Sequence, residues 1–326
     1  MRILVTGGAG FIGSNFVRRL LADGYPGLAG ADVTVLDKLT YAGNLANLAP
    51  VADSPRLRVV VGDICDADLV GEVLPGHDLV VHFAAESHVD RSIEGAAPFV
   101  TTNLVGTSVL LEAATAAGGV DRFVHVSTDE VYGSIDSGSW TEDRPLEPNS
   151  PYSAAKAGSD LLARAYHRTH GLPVVITRGS NTYGPYQFPE KVVPLFVTNL
   201  LDGRRVPLYG DGGNVRDWLH VDDHCAGVAL AAERGRPGAV YHVGGGTELT
   251  NKELTARLLD ACGAGWEMVE YVSDRKAHDR RYSLDIGRTT TELGYAPAVD
   301  FAEGLAATVA WYRENRAWWE PLRRSA

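Results

Sequence analysis

Five side chains within one short segment could take part in acid–base chemistry: Thr128, Asp129, Glu130, Tyr152 and Lys156. The first three directly follow the apolar run at 123–126, which predicts a buried strand that ends where the polar residues begin. Tyr152 and Lys156 are four residues apart in a segment of helical character, so they share one helix face. A phenol and an ammonium beside two carboxyls could move several protons. We therefore expect this segment to carry out proton and hydride steps on a single substrate.

A glycine-rich turn follows the first predicted strand. The chain opens with the apolar strand RILVT, continues through Gly7, Gly10 and Gly13, and then enters an amphipathic helix. In dinucleotide-binding folds such glycines permit a tight turn, close approach of the pyrophosphate, and close packing of helix on strand. The pyrophosphate lies on N–H groups at the helix N-terminus, where the helix dipole favours negative charge. The pattern predicts a dinucleotide site at the start of this helix.

The second predicted strand, ADVTVLD, ends at Asp37. An acidic residue in this position accepts hydrogen bonds from the adenosine ribose and repels a 2′-phosphate, which favours NAD over NADP even with Lys38 beside it. Residues at the ends of the next two predicted strands would also meet the cofactor: Asp63, Ile64, Ala84 and Ala85.

Strands alternate with helical segments over the first half of the chain, which is typical of a doubly wound parallel sheet, the Rossmann α/β fold. One helix is expected over 99–117, and ligands should bind at the carboxyl ends of the strands. We expect a smaller, interleaved C-terminal domain that binds the substrate. The predicted cofactor domain comprises 1–180 and 217–247, and the predicted substrate domain comprises 181–216 and 248–326.

The second half of the chain is less regular. The segments 181–194 and 207–224 are rich in Gly, Pro and Tyr, and we expect them to be ordered loops over a binding cleft. NKELTARLLDACG predicts a helix with Thr250 as its N-cap. FAEGLAATVAWYRENRAWW predicts a C-terminal helix with an apolar stripe.

The composition restricts the classes of partner. A net charge of −11 argues against nucleic acid and anionic membranes as partners, although a few placed cations could still bind an anionic small molecule. We find no apolar run long enough to span a membrane and no leader before RILVT, so we expect a cytoplasmic protein. The 3 cysteines lie far apart without metal-ligand spacing, so we expect free thiols and no metal site.

Motifs along nearly the whole chain resemble the extended short-chain dehydrogenase/reductase family and, within it, the dTDP-glucose 4,6-dehydratases. They are TGGAGFIGSNF, AAESHVDRSI, STDEVYG, PYSAAKA, SNTYGPYQFPEKVVP, YGDGGNVRDWLHVDDH and DRKAHDRRYSLD. The spacing of Tyr152 and Lys156 is typical of the broad family, whereas the Thr-Asp-Glu triplet is typical of the 4,6-dehydratase branch. In one departure, Lys276 and Ala277 stand where the family commonly has Pro-Gly, so this loop need not have the family's shape.

The resemblance implies an NAD-dependent lyase that acts on dTDP-glucose. Tyr152 as phenolate would take the proton of the 4-hydroxyl while hydride leaves C4, and Thr128 would hydrogen-bond the C4 oxygen. Lys156 would lower the pKa of Tyr152, because a cation about 4 Å away contributes on the order of 4 kcal/mol at an effective dielectric of about 20. Glu130 would then remove the C5 proton, and protonated Asp129 would assist loss of the C6 hydroxyl as water. Hydride return to C6 would regenerate NAD.

The resemblance also implies binding residues. The cofactor would contact Gly7, Gly10, Phe11, Ile12, Gly13, Asp37, Lys38, Leu39, Thr40, Asp63, Ile64, Ala84, Ala85, Ser87, Thr102, Asn103, Tyr152, Lys156 and Thr182. The nucleotide sugar would contact Ser87, His88, Thr128, Asn181, Lys191, Val192, Pro207, Tyr209, Arg216, Asn251, Arg275, His278 and Tyr282. Among these, the arginines and the lysine suit phosphate, and the Tyr209 ring could stack on thymine. A homodimer is implied as well, with a four-helix bundle formed by the helices that follow Phe99 and Tyr152.

Other assignments fit part of the pattern. A nucleotide-sugar 4-epimerase or a UDP-glucuronate decarboxylase of the same fold would use Tyr152 and Lys156. Neither reaction needs an acid–base pair for C5 and C6, so Asp129 and Glu130 argue against both. A catalytically silent dinucleotide-binding regulator would have no need of Tyr152 or Lys156. A GDP-mannose dehydratase would usually prefer NADP, which Asp37 disfavours.

Overall fold

The computed structural model describes residues 1–323 and contains a central sheet of seven parallel strands. In spatial order the strands of this sheet, counted along the chain, are the seventh (Val240–Val243), the sixth (Val174–Gly179), the fifth (Arg122–Thr128), the fourth (Leu79–His82), the first (Arg2–Thr6), the second (Asp32–Asp37) and the third (Leu57–Val61). All six neighbouring pairs are parallel, as the sequence predicts. The strand order changes direction beside Arg2–Thr6, and a crevice for ligands opens at such a point.

Helices cover both faces of this sheet. The α-helices are Phe11–Leu21, Ala67–Val73, Val89–Glu94, Ala97–Phe99, Thr107–Ala117, Pro151–His170, Val192–Leu201, Val221–Arg234, Asn251–Cys262, Gly287–Leu293, Phe301–Glu314 and Arg316–Arg323. Short 3₁₀ turns occur at Pro26–Leu28, Leu45–Val51, Asp129–Tyr132 and Trp266–Met268. One apolar cluster lies under Phe11–Leu21 and Val221–Arg234, and a second lies on the opposite face under Thr107–Ala117. This two-sided burial explains why the strands are nearly continuous apolar runs.

The helix expected over 99–117 is interrupted. A π-helical segment, Val100–Gly106, separates Ala97–Phe99 from Thr107–Ala117. Within it the Asn103 side chain accepts a hydrogen bond from the Glu86 N–H (2.8 Å) and donates to the Glu86 carbonyl (2.9 Å). The widened turn thus places Asn103 against the loop after the fourth strand, which borders the ligand crevice.

The two segments expected to be loops contain three short strands, so that part of the prediction is wrong. Asn181–Tyr183 and Thr247–Thr250 flank Val215–His220 in a three-stranded sheet, and Val206–Tyr209 pairs with Val269–Val272. Strands of three to six residues with Gly and Pro around them are too short for a clear period of two. One of them, Val215–His220, runs across the predicted domain boundary at residue 216, and the domain division itself stays a prediction.

The predicted helix after Thr250 is confirmed. Thr250 accepts a hydrogen bond from the Glu253 N–H (3.1 Å), and the Glu253 carboxylate accepts one from the Thr250 N–H (2.8 Å). The predicted C-terminal helix is divided at Asn315 into two helices.

Between residues 1 and 323, no helix is long and apolar enough to cross a membrane. In the same range the 3 cysteines are unpaired, and no cluster of side chains is suited to hold a metal ion.

Candidate active site

The fifth strand, Arg122–Thr128, is followed directly by a 3₁₀ turn, Asp129–Tyr132. The Thr128 hydroxyl accepts a hydrogen bond from the Glu130 N–H (3.3 Å) and donates to Asp129 Oδ1 (3.2 Å). The turn ends at Gly133 with φ of +80°, where a Cβ would lie 2.3 Å from a backbone carbonyl oxygen. Local backbone geometry therefore holds the two carboxyls at the carboxyl end of the sheet.

Tyr152 and Lys156 lie in the first two turns of the helix Pro151–His170. A reciprocal hydrogen-bond pair between Ser150 and Ser153 caps this helix at its N-terminus and fixes the position of Tyr152. Both catalytic candidates are buried, and Lys156 Nζ donates to the carbonyl oxygen of Val126 (2.8 Å). All five catalytic candidates line a single cavity of about 310 Å³.

The protonation of Tyr152 differs from the expectation. Burial raises the pKa of the Tyr152 phenol well above its usual value, the charge of Glu130 raises it further, and a hydrogen bond from Thr128 opposes both effects. Lys156 was expected to lower this pKa, but its ammonium group is bonded to a backbone carbonyl of the fifth strand. Burial lowers the pKa of Lys156 to about 8, with Asp160 opposing the change. Lys156 alone therefore does not produce a phenolate.

Asp129 and Glu130 lie in different electrostatic surroundings. Burial, and then the charges of Glu130 and Asp217, raise the pKa of Asp129 well above its usual range. Burial also raises the pKa of Glu130, but Lys191, Arg216 and Arg275 oppose that rise. Asp129 Oδ2 is buried and has no hydrogen-bond partner within residues 1–323. The pair thus combines a carboxyl that keeps its proton with a neighbour that ionises more easily, which is the requirement for an acid and a base side by side.

The glycine turn forms one end of the same cavity. A Cβ on Gly7 (φ +70°) would lie 2.5 Å from the Ala84 backbone nitrogen, and a Cβ on Gly13 would lie 2.2 Å from the Gly7 carbonyl oxygen. No side chain caps the helix Phe11–Leu21, whose N-cap residue is Gly10. Its first N–H groups therefore face the cavity without a side-chain acceptor, which is suited to an anion.

Asp37 lies beside this turn and accepts two backbone hydrogen bonds, from the Ala9 N–H (2.9 Å) and the Leu39 N–H (2.9 Å). Burial raises the pKa of its carboxyl, and these hydrogen bonds oppose the rise. Lys38 Nζ forms an ion pair with Asp63 (2.5 Å), so the ends of the second and third strands are joined. The Lys38 charge is thus directed to Asp63.

The structure brings nearly all predicted cofactor residues to the 310 Å³ cavity, which we name the cofactor cavity. Two are exceptions. Leu39 has φ of +55° and donates its N–H to Asp37, and Asn103 binds the backbone of Glu86; neither side chain lines the cavity. Leu39 instead orients the Asp37 carboxylate, and Asn103 holds the backbone of Glu86 at the edge of the cavity. Whether each lining residue contacts a cofactor stays a prediction.

A second cavity of about 200 Å³, the substrate cavity, adjoins the first. Apart from Ser87 and Thr128, which line the cofactor cavity, every predicted substrate residue lines it: His88, Asn181, Lys191, Val192, Pro207, Tyr209, Arg216, Asn251, Arg275, His278 and Tyr282. The two cavities share a wall formed by Glu130, Asn181, Thr182, Gln187, Glu190 and Lys191. A ligand in the substrate cavity can therefore approach the catalytic carboxyls.

Three cations surround the substrate cavity. Arg216 donates to the Asp279 carbonyl (2.9 Å) and lies 4.1 Å from the centre of the Tyr282 ring, and Lys191 donates to the Ser87 carbonyl (2.6 Å). Because carbonyl groups hold Arg216 and Lys191, these interactions leave their charges unneutralised. Arg275 forms an ion pair with Asp90 (3.2 Å). This concentration of positive charge is suited to a diphosphate.

The Lys276–Ala277 departure has a structural consequence. Ala277 lines the substrate cavity and has φ of +50°, a left-handed conformation that a glycine adopts without strain and an alanine does not. The loop therefore keeps a glycine-like backbone although the glycine is absent.

Sequence reasoning assigned no role to several residues that line the cavities: Glu86, Gln187, Phe188, Glu190 and Trp218. Glu86 and Glu190 lie inside motifs that were recognised, so their position next to assigned residues was the available signal. Gln187 Nε2 donates to the Thr182 carbonyl (2.9 Å), and its buried Oε1 has no partner among residues 1–323. Gln187 also lies inside a recognised motif, between the assigned residues Thr182 and Lys191, so the same signal was available for it.

Comparisons with known proteins agree with the geometry. A family model described as GDP-mannose 4,6 dehydratase matches residues 4–308. A dTDP-glucose 4,6-dehydratase of Streptomyces niveus is 64% identical over 323 residues, which cover 99% of this chain and 96% of that protein. The chain belongs to the dTDP-glucose 4,6-dehydratase family. A relative with the same description from Streptomyces antibioticus is 65% identical over 325 residues, covering 99% of this chain and 96% of its own. The resemblance drawn from the motifs is confirmed.

Solved structures support the family at the level of the fold. The crystal structure of DesIV, a dTDP-glucose 4,6-dehydratase from Streptomyces venezuelae determined with NAD bound, is 68% identical, with a TM-score of 0.98 over 99% of this chain and 100% of its own. A UDP-glucose 4-epimerase from Thermotoga maritima is 34% identical, with a TM-score of 0.88 over 97% and 100% of the two chains. The fold is thus common to dehydratases and epimerases, and the site must distinguish them.

Proposed function

We propose that the protein is an NAD-dependent hydro-lyase that converts dTDP-glucose to dTDP-4-keto-6-deoxyglucose and water. The observation that carries this proposal is the adjacent pair of buried Asp129 and partly buried Glu130, with cations opposing the rise in pKa at Glu130, in the cavity that also contains Tyr152. The family relatives are described as dTDP-glucose 4,6-dehydratases. A 4-epimerase shares the fold but has no step for such a pair.

The cofactor cavity fits NAD. Its uncapped helix N-terminus suits a pyrophosphate, and its glycine turn has no room for side chains at Gly7 and Gly13. The carboxyl of Asp37 lines the cavity and would disfavour a 2′-phosphate. When bound, oxidised NAD would supply a hydride acceptor and a positive charge for the first step, and the NADH formed from it would supply the hydride for the last step.

Tyr152 and Thr128 would carry out the first step, the oxidation at C4. Tyr152 would accept the proton of the sugar 4-hydroxyl while Thr128 hydrogen-bonds the C4 oxygen. Because burial raises the pKa of Tyr152, we infer that formation of the phenolate needs the positive charge of bound NAD. Lys156, with a pKa of about 8, carries its positive charge at neutral pH and favours the phenolate from within the same cavity.

Glu130 and Asp129 would carry out the elimination of water across C5 and C6. A ketone at C4 acidifies the C5 proton, and Glu130 would remove it as base. Asp129 would donate its proton to the C6 hydroxyl, which leaves as water. Hydride returned to C6, with the proton held by Glu130 returned to C5, completes the product. The raised pKa of Asp129 favours the protonated carboxyl that this step requires.

The substrate cavity would hold the nucleotide. We assign the diphosphate to Lys191, Arg216 and Arg275, and the thymine to stacking on Tyr209. Arg275 already lies 5.3 Å from the centre of the Tyr209 ring, so the aromatic face and a cation are adjacent.

The proposal is tested by identifying the product. Incubation with dTDP-glucose, followed by NMR, should give the 4-keto-6-deoxy sugar with no net NADH in the absorbance at 340 nm. A 4-epimer as the product would exclude the assignment. Parallel reactions with UDP-, CDP- and GDP-glucose establish which nucleotide the substrate cavity selects.

We further propose a homodimer in the cytoplasm, with neither nucleic acid nor membrane as partner. Three exposed apolar side chains on the helical run 97–117 and on the helix Pro151–His170 support a dimer face: Val100 (43% exposed), Val105 (47%) and Leu161 (53%). Light scattering coupled to size exclusion should give twice the monomer mass. Leu161→Glu should shift the protein toward the monomer, and an unchanged mass would argue against this face.

A further inference from the structure

One arginine outside both cavities joins three separate segments of the chain. Arg91, on the helix Val89–Glu94, lies with its Cζ 4.0 Å from the centre of the Tyr41 ring. Its Nη2 is 3.0 Å from the Glu190 carboxylate. The Tyr41 ring also meets the edge of Phe188, with the ring centres 5.5 Å apart. We name Tyr41, Arg91, Phe188 and Glu190 the clasp.

The clasp lies across the wall of the cofactor cavity. Phe188 and Glu190 line this cavity, and so do the neighbours of Tyr41 in its loop: Thr40, Ala42 and Gly43. Tyr41 and Arg91 are not in the lining, and 40% of the Arg91 side chain is exposed, so the arginine lies between the wall and solvent. The clasp therefore ties the loop after the second strand to the wall that the two cavities share.

Opening the clasp would be unfavourable. The Glu190 side chain is only 9% exposed. Without Arg91, its carboxylate would be a largely buried charge without this ion-pair partner, which is energetically costly. The other basic groups near it are His88, 3.8 Å away, and Lys191, whose ammonium already binds the Ser87 carbonyl. Opening would also break the cation–π contact between the Arg91 guanidinium and the Tyr41 ring, and such contacts are stronger where water is excluded.

The proposed reaction requires one cofactor molecule to remain in place throughout the cycle. Hydride removed from C4 must return to C6 of the same sugar, so cofactor loss after the first step would leave an oxidised sugar and an inactive protein. We propose that the clasp is a retention device for the bound dinucleotide: release requires the loop 40–43 to separate from 188–190, which breaks the Arg91 contacts. This inference rests on the proposed function for its purpose, but retention itself is measurable without any sugar.

The test compares two arginines in similar settings. Arg91→Met keeps an unbranched side chain and removes both the ion pair and the ring contact. Arg316 is the matched control, because it pairs with Asp202 (2.5 Å), lies 4.8 Å from the Trp319 ring, is 45% exposed, and lines neither cavity. Each purified protein is loaded with NAD and freed of excess. Release is then followed through an added enzyme that reduces free NAD.

We expect NAD to leave Arg91→Met at least ten-fold faster than it leaves the wild type, and Arg316→Met to match the wild type. Arg91→Lys, which keeps the charge but not the planar contact, should fall between them. Tyr41→Leu provides a second variant should Arg91→Met fail to fold, and it too should release NAD faster. Release from Arg91→Met and Tyr41→Leu at the rate of the Arg316→Met control would overturn the inference.

Turnover separates this inference from the proposed function. With dTDP-glucose, Arg91→Met should lose activity progressively and recover when NAD is added in excess, whereas a folding defect would not be rescued. If the wild type forms no 4-keto-6-deoxy product yet NAD release depends on Arg91, the proposed function fails and the clasp stands. If the wild type is active and release is independent of Arg91, the clasp alone fails.

Discussion

Two buried aspartates near the helix Pro151–His170 have opposite electrostatic surroundings. Asp160 is fully buried and lies 2.8 Å from Arg178 Nε and 3.2 Å from His125 Nε2, and these partners hold its pKa well below the usual range against the effect of burial. Asp129 is 2% exposed, accepts a hydrogen bond only from the Thr128 hydroxyl among residues 1–323, and has a strongly raised pKa. Burial is common to both residues, so the presence of a cation decides which carboxyl is charged.

The difference extends to the neighbours of each aspartate. Arg178 also donates to the Tyr132 hydroxyl, which bonds His242 Nε2 (2.6 Å), so Asp160 Oδ2 belongs to a chain of paired polar groups beneath the site. Asp160 Oδ1 has no hydrogen-bond partner among residues 1–323 and lies 3.2 Å from His125 Nε2. Around Asp129 the polar atoms are left open: Asp129 Oδ2 and Asn181 Oδ1 are buried without a partner among residues 1–323. Paired groups stabilise the fold, whereas unpaired groups in a cavity are available to a substrate.

The largest expected effect is on catalysis. Asp129→Asn should lower kcat by about 10²–10⁴-fold, because the amide cannot donate a proton to the leaving hydroxyl. The free energy of unfolding, measured in urea below about pH 4, should change little, since the carboxyl that the neutral amide replaces is protonated there in both the folded and the unfolded protein. An active variant, or one that is strongly destabilised, would mean that Asp129 is charged and structural like Asp160.

Asp160→Asn should have the converse effect on stability. It leaves the buried Arg178 without its counter-ion, which costs about 3–5 kcal/mol in the free energy of unfolding. Urea denaturation at neutral pH measures this loss. Asp211→Asn, which breaks an exposed pair with Arg280, is the control and should have little effect. Equal effects of the two substitutions would show that the Asp160 pair has no special role.

The two aspartates should also give opposite pH dependences of stability. The depressed pKa of Asp160 means that its contribution is present above the unfolded pKa near 4 and is lost as the pH falls below that value. The raised pKa of Asp129 means that its contribution is complete below about pH 4 and declines as the pH rises toward its folded pKa. Unfolding titrations should therefore show a weaker acid loss in Asp160→Asn and a smaller decline above pH 4 in Asp129→Asn. Parallel curves for the two variants would contradict the assignment.

The smallest expected effect concerns the loop beside Asp279, whose carbonyl group holds Arg216. Ala277→Gly should raise the free energy of unfolding by about 1 kcal/mol, because glycine relieves the left-handed strain at φ of +50°. The same variant should leave the pH profile of kcat unchanged if Arg216 keeps its distance from Asp129. A shifted profile would mean that the strained loop also tunes the Asp129 proton.

Much of the fold was predictable because its causes are local. The glycines of the first turn, the cap at Thr250 and the apolar runs of the seven parallel strands each act over a few residues. The strands Asn181–Tyr183, Val206–Tyr209 and Val215–His220 were missed because they are stabilised by partners distant in the sequence. The π-helical turn at Asn103 was missed for the same reason, since its partner is the Glu86 backbone.

The sequence alone determined the reactive residue types, their placement at strand ends and one helix face, and the family. It could not determine their charge states, because Asp129 and Asp160 are the same residue type and the cation that pairs with Asp160, Arg178, comes from another segment. Only the tertiary structure brings Arg178 and His125 to Asp160, directs Lys156 to the Val126 carbonyl, and raises the pKa values of Asp129 and Tyr152. The physical reason is that a pKa depends on burial and on charges a few ångströms away, and those charges come from segments distant in the chain.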